Sequence, residues 1–136
     1  MNCIVNTQNT DLMFVVNKAV VYLCRSNPEV VSSFIDSLDA YFKSIGLVNE
    51  FNYDQNSMCI LIGANSEVDN NIIMSSIYNI GCEVLTAALY NYKDIVYRFI
   101  DLDTCDIQCI RDAIVSTMSI LDISVDNKKF MIRLHN

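Results

Sequence analysis

Three glycines and one proline are all the strong backbone punctuation that this 136-residue chain contains. Sharp reversals lean heavily on those two residue types, and a β-sandwich or barrel needs many reversals. The chain is therefore expected to be all-α, or nearly so. Its length fits one domain over residues 1–136, enough to bury roughly two-thirds of the surface that the unfolded chain exposes. With 52% hydrophobic and 18% charged residues, apolar burial can offset the ordering entropy, and intrinsic disorder is not expected.

Charge and apolar patterning narrow the classes further. Nine Lys and Arg against sixteen Asp and Glu give a net charge of −7, which argues against a nucleic-acid partner. The longest stretch without a charged residue, 70–82, contains three Asn and two Ser. No membrane span is expected from it, since a spanning helix needs about 18 mostly apolar residues. A secretory signal is poorly supported, because no positive charge precedes the first apolar run. The six cysteines (3, 24, 59, 82, 105 and 109) follow no compact scaffold spacing and read as reduced, half-buried small hydrophobes. The 15 asparagines suggest an AT-rich coding genome.

Helical periodicity recurs along the chain. Leu12, Val15, Val16, Ala19, Val20 and Leu23 form an apolar stripe, with Thr10 or Asp11 as N-cap. Ser26-Asn27-Pro28-Glu29 reads as a cap followed by proline at the first helical position. The second helix carries Val31, Phe34, Ile35, Leu38, Phe42 and Ile45 and stops at Gly46. Residues 47–65 admit two readings, a β-hairpin alternating through Phe51, Tyr53, Met58, Ile60 and Ile62, or a loop with one or two helical turns. The loop is the expectation carried forward. Ser66-Glu67-Val68-Asp69 has the form of a capping box and predicts a helix to about Tyr78. After Gly81, the residues Cys82, Leu85, Ala88, Leu89, Tyr92, Ile95, Val96 and Phe99 predict a central, nearly all-apolar helix. Asp103 or Thr104 would cap the next helix, which would bury Ile107, Ile110, Ile114, Thr117 and Leu121. Asp126 would cap a last helix holding Phe130, Met131 and Leu134. The total is about seven helices.

Catalysis finds little support. The only histidine, His135, stands next to the last residue, and no Cys–His or Ser–His–Asp assembly has a well-placed base. Asp101, Asp103 and Asp106 are explained by helix-start capping. Cys105 and Cys109 share a helix face but have no partner pair at zinc-ligand spacing. No catalytic residue, metal or cofactor is therefore expected, and the chain does not read as an enzyme. Thirteen Tyr and Phe with six Met suit an adaptable binding surface, although most will be core.

The run Asn79-Ile80-Gly81-Cys82-Glu83-Val84-Leu85-Thr86-Ala87-Ala88-Leu89 resembles the BH1 motif of the Bcl-2 family of apoptosis regulators. In that motif Asn-Trp-Gly-Arg opens a hydrophobic central helix. Phe34-Ile35-Asp36-Ser37-Leu38-Asp39-Ala40-Tyr41 is similar to a degenerate BH3 motif, and the last 15 residues, with Phe130, to a worn BH2 region. The resemblance implies a Bcl-2-like bundle around a central helix. It further implies a viral pro-survival protein, from a large DNA virus such as an iridovirus or poxvirus, that sequesters the BH3 helix of host pro-apoptotic proteins. Phe42, Ile45, Phe51, Met58, Ile73, Ile77, Val84 and Leu85 would then line a hydrophobic groove for that helix. Asn79 would cap the central helix, and Gly81 would admit the ligand backbone.

Two departures from the family pattern carry consequences. Cys82 stands where the family has Arg, and a charge-assisted bond is worth about 1.5–3 kcal/mol, so ligand selectivity should be narrow. The sequence ends Ile132-Arg133-Leu134-His135-Asn136, so no C-terminal hydrophobic anchor is expected. Location in host cytoplasm, with recruitment to mitochondria through partners, follows from the resemblance. An open groove could also be covered by a second copy in a homodimer. The alternatives are a Bcl-2-like protein that engages host signalling adaptors through another surface without BH3 binding, and a helical assembly protein.

Overall fold

A computed structural model describes the backbone of residues 9–116, 118 and 121–134, with side chains from Asp11 onward. Its elements, in chain order, are α1 (Asn9–Ser26), α2 (Pro28–Ile45), β1 (Val48–Asp54), β2 (Cys59–Ala64), α3 (Asn70–Asn91), the single turn α4 (Lys93–Val96), a 3-10 turn (Leu102–Thr104), α5 (Ile107–Ser116), β3 (Leu121–Asp126) and β4 (Lys129–Leu134). The four strands form one antiparallel sheet in the order β1-β2-β4-β3. The expected all-α, seven-helix Bcl-2-like bundle is therefore wrong, and the chain is an α+β domain.

The first two helices follow the sequence closely. In α1, Leu12, Val16, Ala19, Val20 and Leu23 are buried on one stripe. Asn27 separates the helices, Pro28 begins α2, and Gly46 ends it in the left-handed conformation at φ +68°. Val30, Phe34, Ile35, Leu38 and Phe42 are the buried face of α2.

The two hairpins are where the helical expectation fails. Phe51, Tyr53, Ile60 and Ile62 alternate with polar or half-exposed neighbours, and that period of two is a strand period. Their register sets Phe51 beside Ile62, Ile62 beside Phe130, and Phe130 beside Val125. The next inward row runs Tyr53, Ile60, Ile132, Ile123. Ile60, Ile62, Phe130 and Ile132 are fully buried, in one cluster with the helix side chains. The expected last helix over Phe130–Leu134 is thus strand β4, and Asp126 ends β3 instead of capping a helix. The BH2-like reading of this region falls with it.

Asparagine and aspartate supply the turns that glycine does not. Asn127 takes φ +56° between β3 and β4, a conformation that Asn tolerates better than most residues. In the β1–β2 turn, Asp54 accepts hydrogen bonds from Asn56 N at 3.0 Å and Ser57 Oγ at 2.9 Å. The second turn is fastened to the start of α3. Lys128 Nζ donates to the Val68 carbonyl at 2.6 Å, and Asn70 Nδ2 donates to the Asn127 carbonyl at 3.0 Å.

The expected helix break at Gly81 does not occur. Asp69, not Ser66, caps α3 by accepting from Asn71 N at 2.9 Å. The helix then continues for 22 residues through Asn79 and Gly81. It ends at Asn91, so Tyr92, Ile95, Val96 and Phe99 lie outside it. Packed against α1, α2 and α5, it is the central apolar helix of the fold. Asp106 caps α5 by accepting from Gln108 N at 2.8 Å, in place of Asp103 or Thr104. Thr117 and His135 lie outside the described residues.

Gly81 is a packing site within this helix. A Cβ there would meet Met118 Cε at 2.3 Å and Phe34 Cε1 at 3.4 Å. Gly81→Ala should lose no more than about 2 kcal/mol, because the methionine tip can shift and the helix gains about 1 kcal/mol. Gly81→Glu would bury an unpaired carboxylate against Met118 and Phe34, and should lose more than about 4 kcal/mol or fail to fold. Denaturant unfolding of both variants checks this, and a parent-like midpoint for Gly81→Glu would contradict it.

Candidate functional site: a cationic and aromatic cleft

The residues expected to line a ligand groove are not gathered on one surface. Phe42, Ile73 and Ile77 are fully buried, and Cys82 and Leu85 are buried with them in the common core. Gly81 is closed over by Met118 and Phe34. Cys82 Sγ, at the position expected for an arginine, faces the Arg111 carbonyl at 3.8 Å and Thr86 Oγ1 at 3.9 Å. Asn79 is exposed in mid-helix and cannot cap a helix start. Ile45 and Phe51 are half-buried against the core. Val84 and Met58 border open clefts, and the clefts differ. Val84 lines a groove of about 370 Å³ between α2 and α3, with Glu29, Ser33 and Glu83. Met58 lines a cleft by the β1–β2 turn.

Another site emerges from the distribution of cations. Among the described residues, Lys43, Lys93, Arg111, Lys129 and Arg133 pair with Asp39, Asp103, Glu83, Glu50 and Asp122 respectively. Lys128 serves the start of α3. Lys18 and Arg98 are in none of the ion pairs and lie over aromatic rings. Lys18 Nζ is 4.8 Å from the centroid of Phe14. The Arg98 guanidinium carbon is 5.2 Å from the Tyr22 ring and 5.5 Å from the Phe99 ring. Arg98 also donates to Tyr22 Oη at 3.4 Å. Such stacking neutralises no charge. It holds the cation at the surface with its attraction for anions intact.

Local structure explains how these groups meet. Phe14, Lys18, Tyr22 and Arg25 recur at helical spacing on α1, on the side away from its buried stripe. Tyr22 and Phe99 then contact each other with centroids 5.4 Å apart and planes tilted by 51°. Phe99 is brought there by the turn after α4, where the amides of Phe99 and Ile100 both donate to the Val96 carbonyl. Asn17, Lys18, Val21, Tyr22, Arg25 and Phe99 enclose a cleft of about 350 Å³. Phe14, the ring under Lys18, is 59% exposed, so the apolar surface on this side extends beyond the cleft itself.

A second cleft of about 500 Å³ adjoins the first, because Arg25 lines both. Cys24, Pro28, Val31, Ser32, Ile35, Tyr53, Gln55 and Met58 complete it. Burial pushes the Cys24 thiol up to about 11, so it stays protonated at neutral pH and is not poised as a nucleophile. Among the described residues no group of three or more His, Cys, Asp or Glu is placed to hold a metal ion. The acidic run after α4 is engaged locally: Asp101 accepts from Asp103 N at 3.0 Å, and Asp103 pairs with Lys93 at 2.8 Å.

Sequence reasoning missed Lys18, Tyr22, Arg25 and Arg98. Their signal on α1 is a second stripe, two aromatics alternating with two cations one turn apart. The part supplied by Arg98 and Phe99 has no sequence signal, since Arg98 lies 76 residues beyond Tyr22 and both meet it only in the fold. In comparisons with known proteins, no family model, curated protein or solved structure matches this chain. By length and composition α3 could cross a membrane; in the fold half of its most apolar window is buried.

The state of Cys24 is open to direct measurement. At pH 8.5 its alkylation by iodoacetamide should be ~100-fold slower than that of a free cysteine, given the small thiolate fraction. The raised thiol also sets a sign for stability. Above about pH 9 the unfolded chain releases this proton while the fold retains it, so this group's contribution falls as pH rises towards 11. Reaction of Cys24 at the rate of free cysteine would contradict the burial.

Proposed function

We propose that this protein is a recognition module and not an enzyme, and that it captures a short acidic segment of a partner protein on the cleft beside α1. The observation that carries this reading is the placement of Lys18 and Arg98. Both lie over aromatic rings outside the carboxylate pairs, in a chain whose net charge is −7. Arginine and tyrosine are the residue types that contribute most at protein interfaces. Stacking fixes the cations in advance, which reduces the ordering cost of binding.

The net charge also selects the kind of anion. A nucleic acid or extended anionic surface would be repelled by the remainder of the molecule, and its affinity depends on many cations in register. One or two carboxylates on a short segment need only the local field of Lys18 and Arg98. The narrower expectation of a BH3 helix drew its groove from an all-α bundle. That fold is not adopted, so the ligand is described by its charge alone.

A random-peptide display selection on the immobilised protein tests the reading. Enriched peptides should be rich in Asp and Glu, and their binding should weaken as salt is raised. The double variant Lys18→Glu/Arg98→Glu should bind them at least about tenfold more weakly, with an unchanged melting profile. Enrichment of neutral peptides, or equal binding by the variant, would overturn it.

A further inference from the structure

We infer that the ligand is bipartite, an acidic residue for the cationic cleft followed or preceded by one large apolar side chain that enters the neighbouring cleft. This rests on the acidic-segment reading above and adds the second determinant. The two clefts are not separate features, because Arg25 forms a wall of each. On one side of it lie Lys18, Tyr22 and Phe99. On the other lie Pro28, Val31, Ile35 and Met58, the apolar part of a lining around about 500 Å³ that also includes Ser32, Tyr53 and Gln55. That volume lies in the range of small-molecule sites and exceeds what one aliphatic or aromatic side chain fills.

The apolar part of the second cleft selects the second determinant. Ser32, Tyr53 and Gln55 carry donors on its wall, but burial against Pro28, Val31, Ile35 and Met58 is costly for a charge. An apolar side chain instead gains by leaving water. A carboxylate held against the cations beside Arg25 fixes where the apolar residue must fall. Charge sets the approach, and the apolar anchor sets the lifetime of the complex. A segment that is acidic only, or apolar only, would use half of the surface.

Synthetic peptides decide the matter. The probes are a diglutamate peptide with a leucine at increasing spacer lengths and the same series with serine in place of leucine, titrated by fluorescence anisotropy against the full chain. At the favoured spacer, the leucine peptide should bind about tenfold more tightly than its serine counterpart. Val31→Asp and, independently, the exposed-wall variant Ser32→Phe, which takes up part of the cleft, should each remove that advantage. Arg98→Glu should weaken both peptides. Equal binding of the two series, or an advantage that survives Ser32→Phe, overturns the bipartite ligand; if Arg98→Glu still weakens both, the acidic-segment reading stands. If Arg98→Glu leaves both unchanged, that reading falls as well. If neither series binds and light scattering finds a dimer dispersed by Arg98→Glu, the occupant is a second copy, and the inference is overturned.

Discussion

Everything in this fold hangs on the pairing of β2 with β4. That pairing joins Cys59–Gly63 to Lys129–Arg133, strands from opposite halves of the chain. Among the described residues it is the ladder that fuses two local hairpins into one sheet. Isolated two-stranded hairpins are marginal in water. Fusion makes Ile60, Ile62, Phe130 and Ile132 the centre of a four-stranded face that the helices can cover. Without it, neither hairpin has enough apolar surface to hold its register.

The consequences reach the functional face. The chain between the hairpins, from Asn70 to Ser116, contains α3, α4 and α5, and its two ends are fixed by strands of the same sheet. The β3–β4 turn is tied by Lys128 and Asn127 to the first turn of α3. With α3 packed against α1, the turn after α4 delivers Arg98 and Phe99 to Tyr22. The cationic cleft therefore depends on long-range closure of the sheet, although none of its side chains belongs to a strand. The neighbouring cleft uses strand residues directly, since Tyr53 and Met58 come from the first hairpin and its turn.

Electrostatics reinforces this arrangement. Five cations are spent on single carboxylates at the surface, interactions that contribute little to stability. Lys18 and Arg98 instead lie over aromatic rings, outside the ion pairs among the described residues. In a molecule of net charge −7, these two cations are the basis of the acidic-segment proposal. The BH1-like run owes its resemblance to something else. Asn79, Gly81, Cys82 and Leu85 belong to one uninterrupted helix, and Gly81 is small because Met118 and Phe34 press against it.

The sequence alone determined the local helices. The stripe on α1, the Asn27-Pro28 boundary and the stop at Gly46 are set by neighbours within one or two turns, and they are found where the pattern puts them. It also held, unread, the turn chemistry of the hairpins. The scarcity of glycine suggested a chain without reversals, while Asn127 and the Asp54–Ser57 turn made them by side-chain hydrogen bonding and tolerance of positive φ. Short apolar runs such as Met58–Ile62 and Phe130–Leu134 fit either period, and only partners across the sheet decide between strand and helix. Tertiary structure alone decided that Gly81 lies inside a helix, and that Phe99 completes a cleft begun on α1, with Arg98 stacked on its rings. Those outcomes depend on contacts between residues far apart in the chain, and such contacts leave no periodic trace in the segments that make them.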